Sequence, residues 1–130
     1  MAYLGLDIGL KRIGLAYSPD GKIVTPLNAV IRKNRNQASK EVKDVIIEWN
    51  IDKVVVGLPL GGSSEEEMRR RIEHFMRLVD ADVTVVFQDE SNSSLEAKEL
   101  LKGNMRTIRD GRIDSIAAMI ILQRYLEKMG

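Results

Sequence analysis

Three acidic residues in this chain of 130 residues occupy settings that suit chemistry. Asp7 interrupts the apolar run YLGLDIG, with Gly5 and Gly9 two positions to either side. Alternate residues of a strand share a face. The carboxylate therefore lies on one face with two glycines, and Leu4, Leu6 and Ile8 lie on the other. A glycine inside a strand weakens it and marks close approach by another group. Glu90 follows the run TVVFQD, at the carboxyl end of a second apolar strand, where open α/β sheets bind their ligands. Asp114 stands at the mouth of the apolar segment IDSIAAMIIL. Taken singly, each acid has an ordinary explanation. Asp7 could be a hydrogen-bonded strand-end acid, and Glu90 and Asp114 could each favour a helix N-terminus through the macrodipole. Taken together, they offer the hard oxygen ligands that Mg²⁺ or Mn²⁺ prefers. Two such ions activate water and stabilise the leaving oxygen in phosphodiester cleavage. That chemistry requires no protein nucleophile.

The bulk composition narrows the alternatives. There is no cysteine, hence no disulfide framework and no thiolate metal site. With His74 the single histidine, a multi-histidine zinc site is excluded, and a Ser–His–Asp relay would have to use His74 as its base. The net charge of +1 makes attraction to nucleic acid a matter of local clusters rather than of the whole surface. No signal peptide is evident, and no apolar run approaches the roughly 18 residues of a membrane span. A single domain over residues 1–130 in the cytoplasm, without membrane association, is the expectation.

The elements that must position the acids follow from periodicity. Residues 2–8 and 12–18 alternate apolar and polar or small residues, and the short Gly9–Leu10–Lys11 link joins them as an antiparallel hairpin. Residues 22–31 read as a third strand after the Pro19–Asp20–Gly21 turn. Residues 36–49 switch to helical spacing through Val42, Val45, Ile46 and Trp49, and Asn50 closes that helix. Lys53–Val56 reads as a strand covered on both faces. Gly57–Gly62 reads as a loop, and Ser63–Ser64 with Glu66 or Glu67 as a capping box opening the next helix. Asp82–Phe87 is a further strand, Ser93 and Glu96 a second capping box before a short helix, and Arg112–Lys128 a well-buried final helix. The order βββαβαβαα predicts an α/β, ribonuclease-H-like fold: a mixed five-stranded sheet with helices on both faces, its later strands parallel.

Basic residues surround the candidate acids. Lys11 and Arg12, just after the strand carrying Asp7, are placed to hold a phosphate, although charged turns are common in any protein. Arg106, Arg109 and Arg112 precede Asp114 and could track a nucleic-acid backbone. Arg32–Lys33–Asn34–Arg35 reads as a solvated turn. Arg69–Arg71 reads as a helix face satisfied by i,i+4 pairs with Glu65–Glu67, and His74 as a surface residue. The Gly57–Gly62 loop lacks the lysine of a P-loop. Base-stacking aromatics are scarce, so recognition should depend on shape and backbone.

Four stretches resemble the YqgF family, also called RuvX: LDIGLKRIGLAYS at 6–18, VVVGLPLGGS at 54–63, DESNSSLEA at 89–97 and IDSIAAMIILQRYL at 113–126. Members of that family are described as pre-16S rRNA nucleases and as Holliday junction resolvases. The resemblance implies a ribonuclease-H-like fold and divalent-metal cleavage of phosphodiester bonds by Asp7, Glu90 and Asp114. The chain departs from the family in having Ser91 where an arginine usually follows the Asp–Glu pair, which removes a possible phosphate clamp. The resulting expectation is a Mg²⁺- or Mn²⁺-dependent nuclease for structured RNA, with 5′-end processing of pre-16S rRNA in ribosome biogenesis foremost. A Holliday junction resolvase acting on branched DNA in recombination or repair is the alternative. A non-catalytic nucleic-acid-binding module of the same fold, or a sugar-kinase or actin-like ATPase domain, would compete with both. Either a monomer or a homodimer is compatible with the chain.

Overall fold

The structure is a computed structural model that describes residues 1–91, 97, 99 and 112–130. Tyr3–Ile8 (β1) and Arg12–Ser18 (β2) pair antiparallel, with Asp7 opposite Gly14. The backbone N–H of Gly9 donates to the Arg12 carbonyl at 3.0 Å and closes the hairpin. Thr25–Ile31 (β3) extends the meander on the far side of β2. It starts three residues later than the alternation suggests. Asp20 Oδ1 accepts from the backbone N–H of Lys22 and Ile23, which prolongs the turn and takes those residues out of the ladder.

The remaining elements are Arg35–Glu48 (α1), Lys53–Leu58 (β4), Glu65–Val79 (α2), Thr84–Asp89 (β5) and Arg112–Met129 (α3). The sheet order is β3-β2-β1-β4-β5, with β4 parallel to both β1 and β5. This is the expected mixed five-stranded sheet. The segment of the second capping box, Ser93 and Glu96, lies outside the described residues.

Local chemistry explains the helix ends. Asn34 caps α1: its side chain accepts from Gln37 N at 2.8 Å while the Gln37 side chain accepts from Asn34 N, a capping box. Asn50 takes a left-handed conformation at φ 50° just past Trp49 and ends the helix. Trp49 does not join the buried stripe. Its ring packs on Tyr17 with centroids 4.6 Å apart. At α2 the capping box expected from Ser63–Ser64 is absent, because Ser64 makes no side-chain cap. Glu65 reaches back to accept from Gly61 N at 3.0 Å, and three glutamates in the first turn favour the helix start.

The two sheet faces are covered differently. Leu4, Leu6, Ile13, Leu15, Val54 and Val56 form one core with Val42 and Ile46 of α1 and with Ile72, Phe75 and Val79 of α2. The other face meets α3, whose Ala118, Ile121 and Leu122 pack on Ala16 and Val55. The outward side of α3 is apolar as well, because Ala117 and Ile120 pack with Ala97. Helix α3 sits close to the sheet. A Cβ on Gly5 would lie 2.8 Å from the Ala118 carbonyl and 2.9 Å from Leu122 Cβ.

That contact has no slack, so Gly5→Ala is expected to cost about 1–3 kcal/mol as overpacking. The measurement is a urea melt. The midpoint should fall without a change in slope, and an unchanged midpoint would show that α3 does not lie where described.

Candidate active site

Helix α3 brings distant parts of the chain to the carboxyl ends of β1 and β5. Asp7, the penultimate residue of β1, faces α3. Glu90 follows β5 directly, and its backbone N–H donates to the Leu58 carbonyl at 3.2 Å. Arg124 of α3 donates to the carbonyls of Asp89 at 3.3 Å and Ser91 at 2.8 Å. It thereby grips the backbone on both sides of Glu90. Asp7 and Glu90 are half-buried and hydrogen-bonded to each other. Asp114, in the first turn of α3, stands close enough to act on Asp7 electrostatically.

Two glycines make this approach possible. Gly14, opposite Asp7, leaves room for the first turn of α3, since a Cβ there would fall 1.9 Å from the Asp114 carbonyl. Gly57 leaves room for Glu90, since a Cβ there would fall 2.9 Å from Glu90 Oε2 and 2.5 Å from Ile121 Cδ1. The glycines flanking Asp7 in the sequence have other partners. Gly5 admits the middle of α3, and a Cβ on Gly9 would meet the Arg12 carbonyl at 2.8 Å. The space around Asp7 comes from the neighbouring strands. The same reading of strand glycines, applied to IGLAY and VVVGL, would have found Gly14 and Gly57.

The site is electrostatically strained. Burial, the Glu90 charge and hydrogen bond, and the Asp114 charge push the Asp7 carboxyl up to about 8 from a usual 3.8. Glu90 is raised as well, chiefly by burial and secondarily by Asp89. The pair thus holds a proton between its two carboxyls. Asp89 itself behaves differently. The Ser91 hydroxyl at 2.7 Å and the Ser91 N–H at 3.1 Å both donate to its Oδ1 and hold its carboxyl below the usual range. Asp89 is a turn-forming acid outside the pair.

Arg12 does reach the acids, and it does so as a partner of Asp114. Its Nε donates to Asp114 Oδ2 at 2.9 Å. Lys11 is exposed on the hairpin turn. Arg106 and Arg109 lie outside the described residues, and Arg112 is placed only as the first residue of α3. Sequence reading did not find Arg124. It also missed Ser115, whose buried hydroxyl accepts from Leu15 N at 3.4 Å and ties the start of α3 to β2. Gln88 was missed too: it is buried two residues before Glu90 on the face toward α3, and its Oε1 has no hydrogen-bond partner among the described residues.

The donor set fits a hard divalent cation in its chemistry. The Asp7 and Glu90 carboxyls are raised by burial and by neighbouring negative charge, and a positive charge beside them would relieve that cost. Among the described residues, no three carboxylate or imidazole groups are gathered into a ready-made metal cage. Asp114 is turned onto Arg12, and a cation would compete with Arg12 for it.

The strain has a measurable sign. With the folded pKa of Asp7 above its unfolded value, the native state retains a proton that the unfolded chain releases. Stability therefore falls as pH rises from about 4 to about 8. Asp7→Asn removes this loss. In EDTA, the variant should gain on the parent across that window, by at most about 1.4 kcal/mol per pH unit. Urea melts at either end of the window measure it, and a difference independent of pH would refute the arrangement.

A family model described as "RuvX: Holliday junction resolvase" matches residues 1–128. Curated relatives named "Putative pre-16S rRNA nuclease" include one from Sulfurimonas denitrificans, 62% identical over 128 residues and 98% of both chains. Another, from Sulfurovum sp., is 58% identical over 126 residues, covering 97% of this chain and 98% of its own. Among solved structures, T. thermophilus RuvC in complex with a Holliday junction substrate superposes with TM-score 0.60 at 16% identity, over 100% of this chain and 96% of that one. Fowlpox virus resolvase in complex with Holliday junction DNA superposes with TM-score 0.57 at 14% identity, over 99% of both chains. At such identities the structural likeness speaks for the fold alone, which is ribonuclease-H-like. The motifs, the sheet order and a family match running almost end to end agree, and the protein belongs to the RuvX family.

Proposed function

We propose that this nuclease hydrolyses phosphodiester bonds in structured RNA, processing the 5′ end of pre-16S rRNA in the cytoplasm, with Asp7, Glu90 and Asp114 as its metal-binding and catalytic acids. The observation that carries the reading is the Asp7–Glu90 carboxyl pair with Asp114 in electrostatic reach. Asp7 bonds Glu90 and feels the charge of Asp114 in a RuvX-family chain, which supports this reading. The naming of these curated relatives favours RNA. The family description favours a four-way DNA junction, which is the second reading.

Mg²⁺ or Mn²⁺, when bound, would supply the charge that activates water and neutralises the leaving oxygen. Asp7 and Asp114 would hold it, and Glu90 would hold it or orient the attacking water. The proton shared by Asp7 and Glu90 would leave as the cation arrives, since ligands must be deprotonated to bind. Arg12 holds Asp114 in the free protein and would be the group to take up a substrate phosphate if Asp114 served as a metal ligand. Lys11, Arg106, Arg109 and Arg112 would add backbone contacts.

The test is a panel of structured RNAs and branched DNAs with Mg²⁺ or Mn²⁺, parent against Asp7→Asn. Losing a metal-binding acid should slow cleavage by at least about a hundredfold, since metal assistance contributes several kcal/mol to the barrier. A variant that cuts as fast as the parent would remove Asp7 from the mechanism. Cleavage of the junction in preference to every RNA would decide for the second reading.

A further inference from the structure

A cleft of about 620 Å³ opens on the sheet face opposite the acids, between the β1–β2 turn, the start of α1 and α2. Its cationic lining comes from the two basic clusters that appear unrelated in the sequence. Arg32 and Arg35 meet Arg70, Arg71 and His74 around one cavity. Local pairing does not neutralise it. Arg71 pairs with Glu67 at 2.8 Å. Arg32 donates to the Gly9 carbonyl at 2.7 Å and lies over the Phe75 ring at 5.3 Å. Arg35 and Arg70 are exposed, and neither has an ion-pair or hydrogen-bond partner among the described residues. The expectation that i,i+4 pairs satisfy the α2 arginines therefore holds for Arg71 and fails for Arg70.

The apolar lining comes from Met68 and from the deeply buried Ile72 and Phe75, the latter under Arg32, and Leu10 stands beside them 84% exposed. Ile8 and Gly9 form the wall next to the acids. Gly9 is two residues from Asp7, at most about 7 Å along an extended backbone. A strand lying at Asp7 therefore has only the hairpin turn to pass before it meets the cleft.

We infer that this cleft binds the phosphodiester backbone of the nucleic-acid strand flanking the scissile bond, a role that rests on the nuclease reading for its place along the substrate. Phosphates lie on Arg35 and Arg70, and a sugar or base packs on the exposed Leu10 side chain. Guanidinium groups match phosphate oxygens, and an exposed apolar side chain beside them matches the other side of a nucleotide. The hairpin that carries Asp7 joins the cleft to the site of cleavage, which favours nucleic acid over an acidic protein segment.

The experiment separates binding from cleavage. In the Asp7→Asn protein, the affinity of a labelled RNA hairpin with single-stranded arms is followed by anisotropy against salt, with and without Arg35→Ala/Arg70→Ala. Lys22→Ala/Lys128→Ala is the charge-matched control. Losing two single-strand phosphate contacts should reduce the slope of log K against log salt by about 1.4 and weaken binding roughly 25-fold at 0.1 M salt. The control should leave both near the parent's values, and a urea melt verifies folding. If the arginine variant binds like the control, the cleft inference falls, while the nuclease reading stands on the parent's own cleavage. If RNA affinity drops as expected but the parent cuts no substrate, the cleft inference stands and the nuclease reading falls. Polyaspartate that displaces the RNA with equal affinity would also overturn the inference, since the cleft would then read charge alone.

Discussion

The approach of α3 to the sheet is the constraint on which the rest depends. Glycines on three adjacent strands, Gly14, Gly5 and Gly57, face the helix or the acid beside it, and a methyl group at any of them would collide. The absence of side chains there puts the helix start within reach of β1 and leaves a pocket for Glu90. A helix packed over ordinary strand side chains would stand farther off, and Asp114 would be carried away from Asp7. Ser115 on Leu15 N and Arg124 on the carbonyls around Glu90 then fix the helix along its axis. Steric allowance places the acids, and polar contacts from α3 hold their register.

That placement stores an electrostatic cost. Two half-buried carboxyls in contact cannot both ionise without a compensating charge, and Asp114 adds to the repulsion at Asp7. The free protein manages the cost in two ways: by retaining a proton at the Asp7–Glu90 pair and by setting Arg12 against Asp114. Both are reversible. A strain so divided is the kind of stability that proteins give up at functional sites, and the same acids buried with permanent partners would be a poor place for a cation.

The fold was legible where a local pattern decides it. Alternation through Leu4, Leu6 and Ile8 fixed the strand and the face of Asp7, and the continuous run Val54–Val56 marked the covered central strand. The site was legible only as far as residue type shows through, in acids set in unusual apolar surroundings. Its geometry was not, because the deciding partners are remote: Arg12 and Asp114 lie 102 positions apart, and Gly14 and Gly57 matter through what faces them across strands. Ser63–Ser64 shows the opposite failure. A sound local signature was overridden because Glu65 reached the Gly61 N–H. The two arginine clusters near α1 and α2 looked independent because nothing in one sequence says which turn meets which helix.

The two faces of the sheet divide the charge of a chain whose net value is only +1. Acids gather under α3 at the ends of β1 and β5, and guanidinium groups gather across the sheet at the start of α1 and along α2. A uniformly basic surface would hold nucleic acid anywhere, whereas a carboxylate cluster alone would repel it. Separating the signs, with one hairpin turn between them, lets the cationic side supply attraction while the acidic side stays free for a cation. On this arrangement the grip on the substrate need not come from the segment after Glu90. Ser91, where the family usually has an arginine, is engaged with Asp89 in shaping the turn, and the guanidinium chemistry lost there is present on the other side of the hairpin.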